Sequence, residues 1–168
     1  MEIRRLGPDD APAYRALRMR ALWEFPEAFT SSWEEDETQP MEVWEVRLGG
    51  EQTLFWGAYE DNQLCGMVGL ERERRAKNRH KGTVIGMYVS QEFFGTGMGR
   101  ALIDALIAEA RATGLEVLVL TVTEGNSVAT NFYEAAGFRS FGIEPKAMKL
   151  EGRFHGKNHM YLDLTAPS

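Results

Sequence analysis

Residues Gly95, Thr96, Gly97, Met98, Gly99 and Arg100 follow an apolar run, residues 83–89, and precede a helical pattern in which Ala101, Leu102, Ile103, Leu106, Ile107 and Ala110 share one face. A glycine-rich turn there frees backbone N–H groups at a helix start, where the helix dipole adds to them, and the combination holds an anion such as a phosphate. Glycine is needed because a side chain would keep a diphosphate off the backbone and because positive φ is cheap only for glycine. Two better-known phosphate loops do not fit. The dinucleotide fingerprint needs glycine where Arg100 stands, and no Gly-Lys-Ser/Thr run completes a P-loop.

The elements around this turn can be read from spacing and punctuation. A strand over 2–6 is followed by Pro8-Asp9-Asp10, suited to a helix start. Ala13, Leu17, Arg20, Ala21 and Phe25 recur at helical spacing until Pro26, after which a second short helix completes a helical lid. A helix over 40–48 stops at Gly49-Gly50. Residues 53–59 and 64–71 read as a hairpin about Glu60-Asp61-Asn62-Gln63. Gly86 within the strand over 83–89 signals a bulge or a close backbone approach. Gly114 closes the helix after the glycine turn, 115–122 is a buried strand, and a helix over 126–136 stops at Gly137. Strands over 138–143 and 159–164 are expected to be joined by a long loop containing Pro145, Gly152 and Gly156.

The 168 residues, 43% hydrophobic and 26% charged, suit one globular domain over 1–168. A net charge of −6 argues against a general nucleic-acid binder. The single cysteine, Cys65, offers no internal disulfide, and three scattered histidines give no metal spacing, so no metal is expected. The start Met-Glu-Ile-Arg-Arg lacks an apolar signal core and no stretch is apolar enough for a membrane span, so a cytoplasmic protein without a membrane partner is expected.

Taken together, Tyr88-Val89, Gly95-x-Gly97-x-Gly99-Arg100-Ala101-Leu102 and Asn126-x-x-Ala129-x-x-Phe132-Tyr133-x-x-x-Gly137-Phe138 resemble the GNAT superfamily of N-acetyltransferases. The resemblance implies an α/β fold of the α+β type, with a mixed, mostly antiparallel sheet flanked by helices. It also implies that the strand ending at Val89 splays from the one ending near Val122, and that acetyl-CoA lies in the opening. Met87, Tyr88 and Val89 would line the pantetheine, Met87 and Val89 through backbone groups. The amides from Gly95 through Thr96, Gly97, Met98 and Gly99 to Arg100 would hold the pyrophosphate. Phe94 stands where the family often has Arg or Gln, which leaves that work to the backbone.

The same resemblance gives Asn126 and Asn131 to the cofactor, although Asn126 also suits a helix cap. It gives Tyr133 the role of protonating the departing thiolate, against the plainer reading of a core tyrosine. A general base must also take a proton from the amine. Glu71, which ends one strand, and His80, which precedes the next, are the first candidates, with Glu73 and Glu144 behind them. The acceptor expected is a small amine or an amino-acid-like compound, with residues 23–33 on its rim. A peptide N-terminus or lysine is the alternative acceptor, a non-catalytic acetyl-CoA sensor the alternative function, and a homodimer the assembly often met in the superfamily.

Overall fold

The computed structural model describes residues 1–167. Seven strands form one sheet in the order β1-β2-β3-β4-β5-β7-β6. They are β1 (Glu2–Arg5), β2 (Thr53–Glu60), β3 (Gln63–Arg72), β4 (Lys81–Val89), β5 (Val117–Thr123), β6 (Arg139–Leu150) and β7 (Arg153–Asp163). Every neighbouring pair is antiparallel except β4 and β5. The helices are α1 (Ala11–Glu24), α2 (Trp33–Glu37), α3 (Met41–Gly49), α4 (Met98–Ala112) and α5 (Ser127–Ala135). Among the described residues no helix is long and apolar enough to cross a membrane.

Two apolar layers sandwich the sheet. On one face Met98, Leu102, Ile103, Leu106 and Ala110 of α4 pack with Tyr133 of α5 against Val68, Leu70, Leu118, Leu120 and Met160. Each fully buried Leu or Ile there contributes roughly 1.5–3 kcal/mol. On the other face Tyr14, Leu17 and Ala21 of α1 and Trp44 and Leu48 of α3 cover Phe55, Met67 and Tyr88. The β2–β3 turn forms where expected, because Asp61 and Asn62 both take positive φ (48° and 64°), the geometry of a tight two-residue hairpin.

The structure differs from the sequence reading in three places. The helix expected to continue past Pro26 is a single 3-10 turn, Pro26–Ala28, and α2 starts afresh at Ser32. There the Ser32 Oγ accepts the Glu35 amide (3.1 Å) and Glu35 Oε2 accepts the Ser32 amide (3.2 Å), a capping box. Strand β4 begins at Lys81 rather than 83, since Lys81, Gly82 and Thr83 are the residues that pair with β5. The expected long loop between the last strands is instead a long hairpin, closed at Glu151-Gly152 with φ of 50° and 78°. Pro145 is tolerated because β6 is an edge strand and its register slips between Glu144 and Met148.

Candidate active site

Strands β4 and β5 pair only through Lys81↔Val117, Gly82↔Leu118 and Thr83↔Val119. Beyond that β4 runs on to Val89 along β3 and β5 runs on to Thr123 along β7, which leaves a wedge between them. In β4, Gly86 and Met87 together oppose Val68 of β3, a bulge that Gly86 permits at φ +60°. The extra residue bends the strand and resets its alternation. Val84, Met87 and Val89 thus face the α4 layer while Ile85 and Tyr88 face the α1 layer. The Ser90 amide donates to the Cys65 carbonyl at 2.8 Å, toward β3. Because successive strand residues point their backbone groups to opposite edges, those of Val89 and Met87 point into the wedge, where β5 does not take them.

The glycine turn lies at the open end of the wedge. Gly95 (φ +75°) and Gly97 (φ +88°) need glycine for their backbone conformation, and a Cβ at either would meet nothing within 4 Å, so the space before them is open. Gly99 serves a different end. A Cβ there would stand 3.2 Å from Cε1 of Phe132 and 3.4 Å from Cε of Met87, so it allows α4 to approach α5 and β4 rather than admitting a ligand. Thr96 Oγ1 closes the turn on the Phe93 carbonyl (2.6 Å). The amide of Ala101 is the first of α4 to find a helical acceptor, at Gly97, and those of Met98, Gly99 and Arg100 have no acceptor among the described residues. The Met98 side chain is core. The Arg100 guanidinium gives Nε to Asp104 (3.0 Å) and Nη1 to the Ala135 carbonyl (3.1 Å), so Met98 can offer a ligand only its backbone, and Arg100 its backbone and Nη2.

Helix α5 supplies the wall beside this turn. Asn126 Oδ1 accepts the Ala129 amide (3.1 Å) and so caps α5. Asn131 is exposed. Tyr133 is 7% exposed, edge-on to Phe132 and Phe138 with ring centroids 5.1 and 5.7 Å away. Its hydroxyl has no protein partner among the described residues, and burial raises its pKa far above the ordinary tyrosine value. A phenol is protonated at neutral pH even at its ordinary pKa, and burial only strengthens this.

Polar groups gather on the opposite face of the sheet. Tyr88 donates its hydroxyl to Glu24 (2.7 Å), Glu24 accepts from Arg20 Nε (2.8 Å), and Arg20 reaches Glu92 (3.0 Å). Arg20 first and Tyr88 second hold the Glu24 carboxyl below its usual range, while burial and then Glu24 raise the Tyr88 phenol. Arg18 and Asp36, both buried, pair through Nε and Oδ2 at 2.8 Å. His159 Nε2 lies 3.0 Å from Glu144 Oε1. His159 is opposite Thr121 in the β5–β7 register. Because Leu118, Leu120, Val122 and Met160 face α4, Thr121 and His159 face the α1 side.

The family description "Acetyltransferase (GNAT) family" matches residues 18–138. The chain belongs to this GNAT family. A mycothiol acetyltransferase from Thermobispora bispora is 31% identical over 137 residues, 80% of this chain and 45% of that protein. An L-methionine sulfoximine/L-methionine sulfone acetyltransferase from Pseudomonas aeruginosa is 35% identical over 78 residues, 46% of this chain and 45% of that protein. These alignments thus span less than half of either relative. A putative acetyltransferase from Salmonella typhimurium, solved with its cofactor acetyl-CoA, superposes with a TM-score of 0.86 at 22% identity over 100% of this chain and 96% of that one. The fold is that of the GNAT acetyltransferases.

Within this GNAT fold, Met87 and Val89 line the wedge beside the glycine turn, where Gly99 packs closely on Met87 and on Phe132 of α5. The Tyr88 side chain points away from them, to Glu24. Glu71 and His80 stand elsewhere. Glu71 is the register partner of Thr83, and the His80 carbonyl accepts the amides of Glu116 and Val117, so both flank the closed end. From there Met87 is about 12 Å along β4 at the usual strand rise. The sequence reading gave no individual role to Arg18, Asp36 or His159 and placed Glu24 only within the 23–33 rim. Only the Ser32-x-x-Glu35 cap, which fixes α2 and with it Asp36, left a local signal.

Proposed function

We propose that this chain is an acetyl-CoA-dependent N-acetyltransferase that transfers the acetyl group directly to the amine of a small molecule. The wedge carries this reading: it is open where Met87 and Val89 present unpaired backbone groups, and its mouth holds the amides of Met98, Gly99 and Arg100, which have no acceptor among the described residues. A thin pantetheine fits the first feature and a diphosphate the second, with open space before Gly95 and Gly97 to admit it.

Bound acetyl-CoA would supply an activated acetyl thioester. As the amine nitrogen bonds the acetyl carbon and the C–S bond breaks, one proton must leave the nitrogen and one must reach the sulfur. Tyr133 holds a proton at Oη for the sulfur, as a phenol does at neutral pH. His159 takes the amine proton at Nδ1. Its Nε2–H donated to Glu144 leaves Nδ1 as the bare nitrogen, and imidazole is the side chain suited to accepting protons near neutral pH. The wedge walls bring amine and thioester together, a large share of the acceleration.

Calorimetric titration with acetyl-CoA tests the binding half. The wild-type chain should bind one equivalent. Gly97→Trp, which strains a φ of +88° and fills the open space, should bind at least about tenfold more weakly. Unaltered affinity would refute the assignment of the turn.

A further inference from the structure

Arg18 is 9% exposed yet spends only one of its donors, Nε, on Asp36. Its Nη1 and Nη2 groups donate to no acceptor among the described residues. Neither is an orphaned buried atom, so both reach open space. Nη1 lies 3.8 Å from where a Cβ of Gly86 would stand, beside the bulge and one residue from Met87. A guanidinium fixed through Nε presents its two Nη groups as a planar fork, the geometry that matches both oxygens of a carboxylate. Asp36 holds the fork in place and balances its charge, so the carboxylate meets a donor pair already oriented.

We infer that the acceptor is an α-amino acid, or a close analogue with amine and carboxylate on the same or adjacent carbons, and that Arg18 binds its carboxylate; this rests on the transferase reading above. Spacing sets the class. Gly86 and Met87 are about 3.8 Å apart at Cα, and the amine must come within roughly 3–3.5 Å of the reacting carbon beside Met87. A carboxylate against Arg18 over Gly86 is then only a few ångströms from the amine. Polyamines and aminoglycosides would bring further cations against a buried guanidinium. A lysine side chain in a protein has no carboxylate near its amine, and a peptide N-terminus has lost the one on its α-carbon.

The test uses matched probes that differ only in the carboxylate: L-methionine sulfone with 3-(methylsulfonyl)propylamine, L-lysine with cadaverine, and L-phenylalanine with phenethylamine. Calorimetric binding of each to the full chain saturated with CoA needs no turnover. In at least one pair the carboxylated member should bind roughly tenfold or more tightly. Arg18→Gln should remove that preference. Arg18→Lys, which keeps the charge beside Asp36 should Arg18→Gln fail to fold, should reduce it. Affinity for acetyl-CoA should be unchanged in any folded variant. Equal binding in every pair, binding of none, or a preference that survives in Arg18→Lys undiminished overturns the inference. Thiol release from acetyl-CoA with the decarboxylated amines reads the transferase function separately, so a chain that acetylates them without preferring carboxylates loses this inference alone.

Discussion

Thr83 of β4 faces Val119 of β5 in the last pair of their ladder, and beyond it each strand is held only by its outer neighbour. The wedge is therefore built by strand pairing and the Gly86 bulge. Replacing Val89 by proline removes an N–H that points into the wedge while leaving the β3 ladder, on the other edge, intact. Calorimetry should show acetyl-CoA binding weakened about three- to tenfold, the net value of one hydrogen bond, with little change in melting temperature.

Tyr133→Phe keeps the ring between Phe132 and Phe138 and removes only the proton carried at Oη. Acetyl-CoA affinity should stay within about twofold while kcat falls by about 10² or more, the usual contribution of a positioned acid. Rapid-quench turnover with the best acceptor checks this, and an unchanged kcat would reject the acid role.

His159→Gln should lower kcat/KM by about 10² near neutral pH, the lower end expected for a general base. Without the imidazole the reaction depends on amine that has already lost its proton, so activity should recover as pH rises toward the acceptor's own pKa. A pH–rate profile that falls in parallel with wild type would leave His159 as a packing residue beside Phe141.

Asp10 gives a stability prediction. Burial pushes its carboxyl up, but hydrogen bonds from Arg4, the Gly7 amide and Tyr59 outweigh it, and the group titrates below its ordinary 3.8. A depressed carboxyl stabilises the fold above its unfolded pKa, and that stabilisation is lost as pH falls through the folded value. Asp10→Asn should cost about 1–3 kcal/mol at pH 7. The gap to wild type should narrow below about pH 4, as urea unfolding at several pH values would show.

The elements that were legible in the sequence have local causes. Gly95 and Gly97 announce a turn because their φ demands it, Asp61-Asn62 a hairpin, and Gly114 and Gly137 the ends of α4 and α5. The β6–β7 hairpin was hidden because Pro145 and Gly156 look like loop residues; the edge position of β6 accommodates Pro145, and the slipped register between Glu144 and Met148 lies opposite Gly156. The residues proposed for catalysis were less legible than the glycine turn. Glu71 and His80 stand at strand ends, but which end of β4 is open depends on a three-pair register that no local pattern displays. Arg18 meets Gly86, and His159 meets Glu144, only once α1 and β6 are packed against the sheet.

The most direct test of the central claim is release of CoA thiol from acetyl-CoA by the purified chain, measured across amino acids, polyamines, aminoglycosides and short peptides. Amine-dependent release with a one-to-one acetylated product, reduced in Tyr133→Phe, is the result the wedge predicts. Stoichiometric acetyl-CoA binding with no release for any amine would make the chain a sensor, and no binding at all would contradict the assignment of the wedge and its glycine turn.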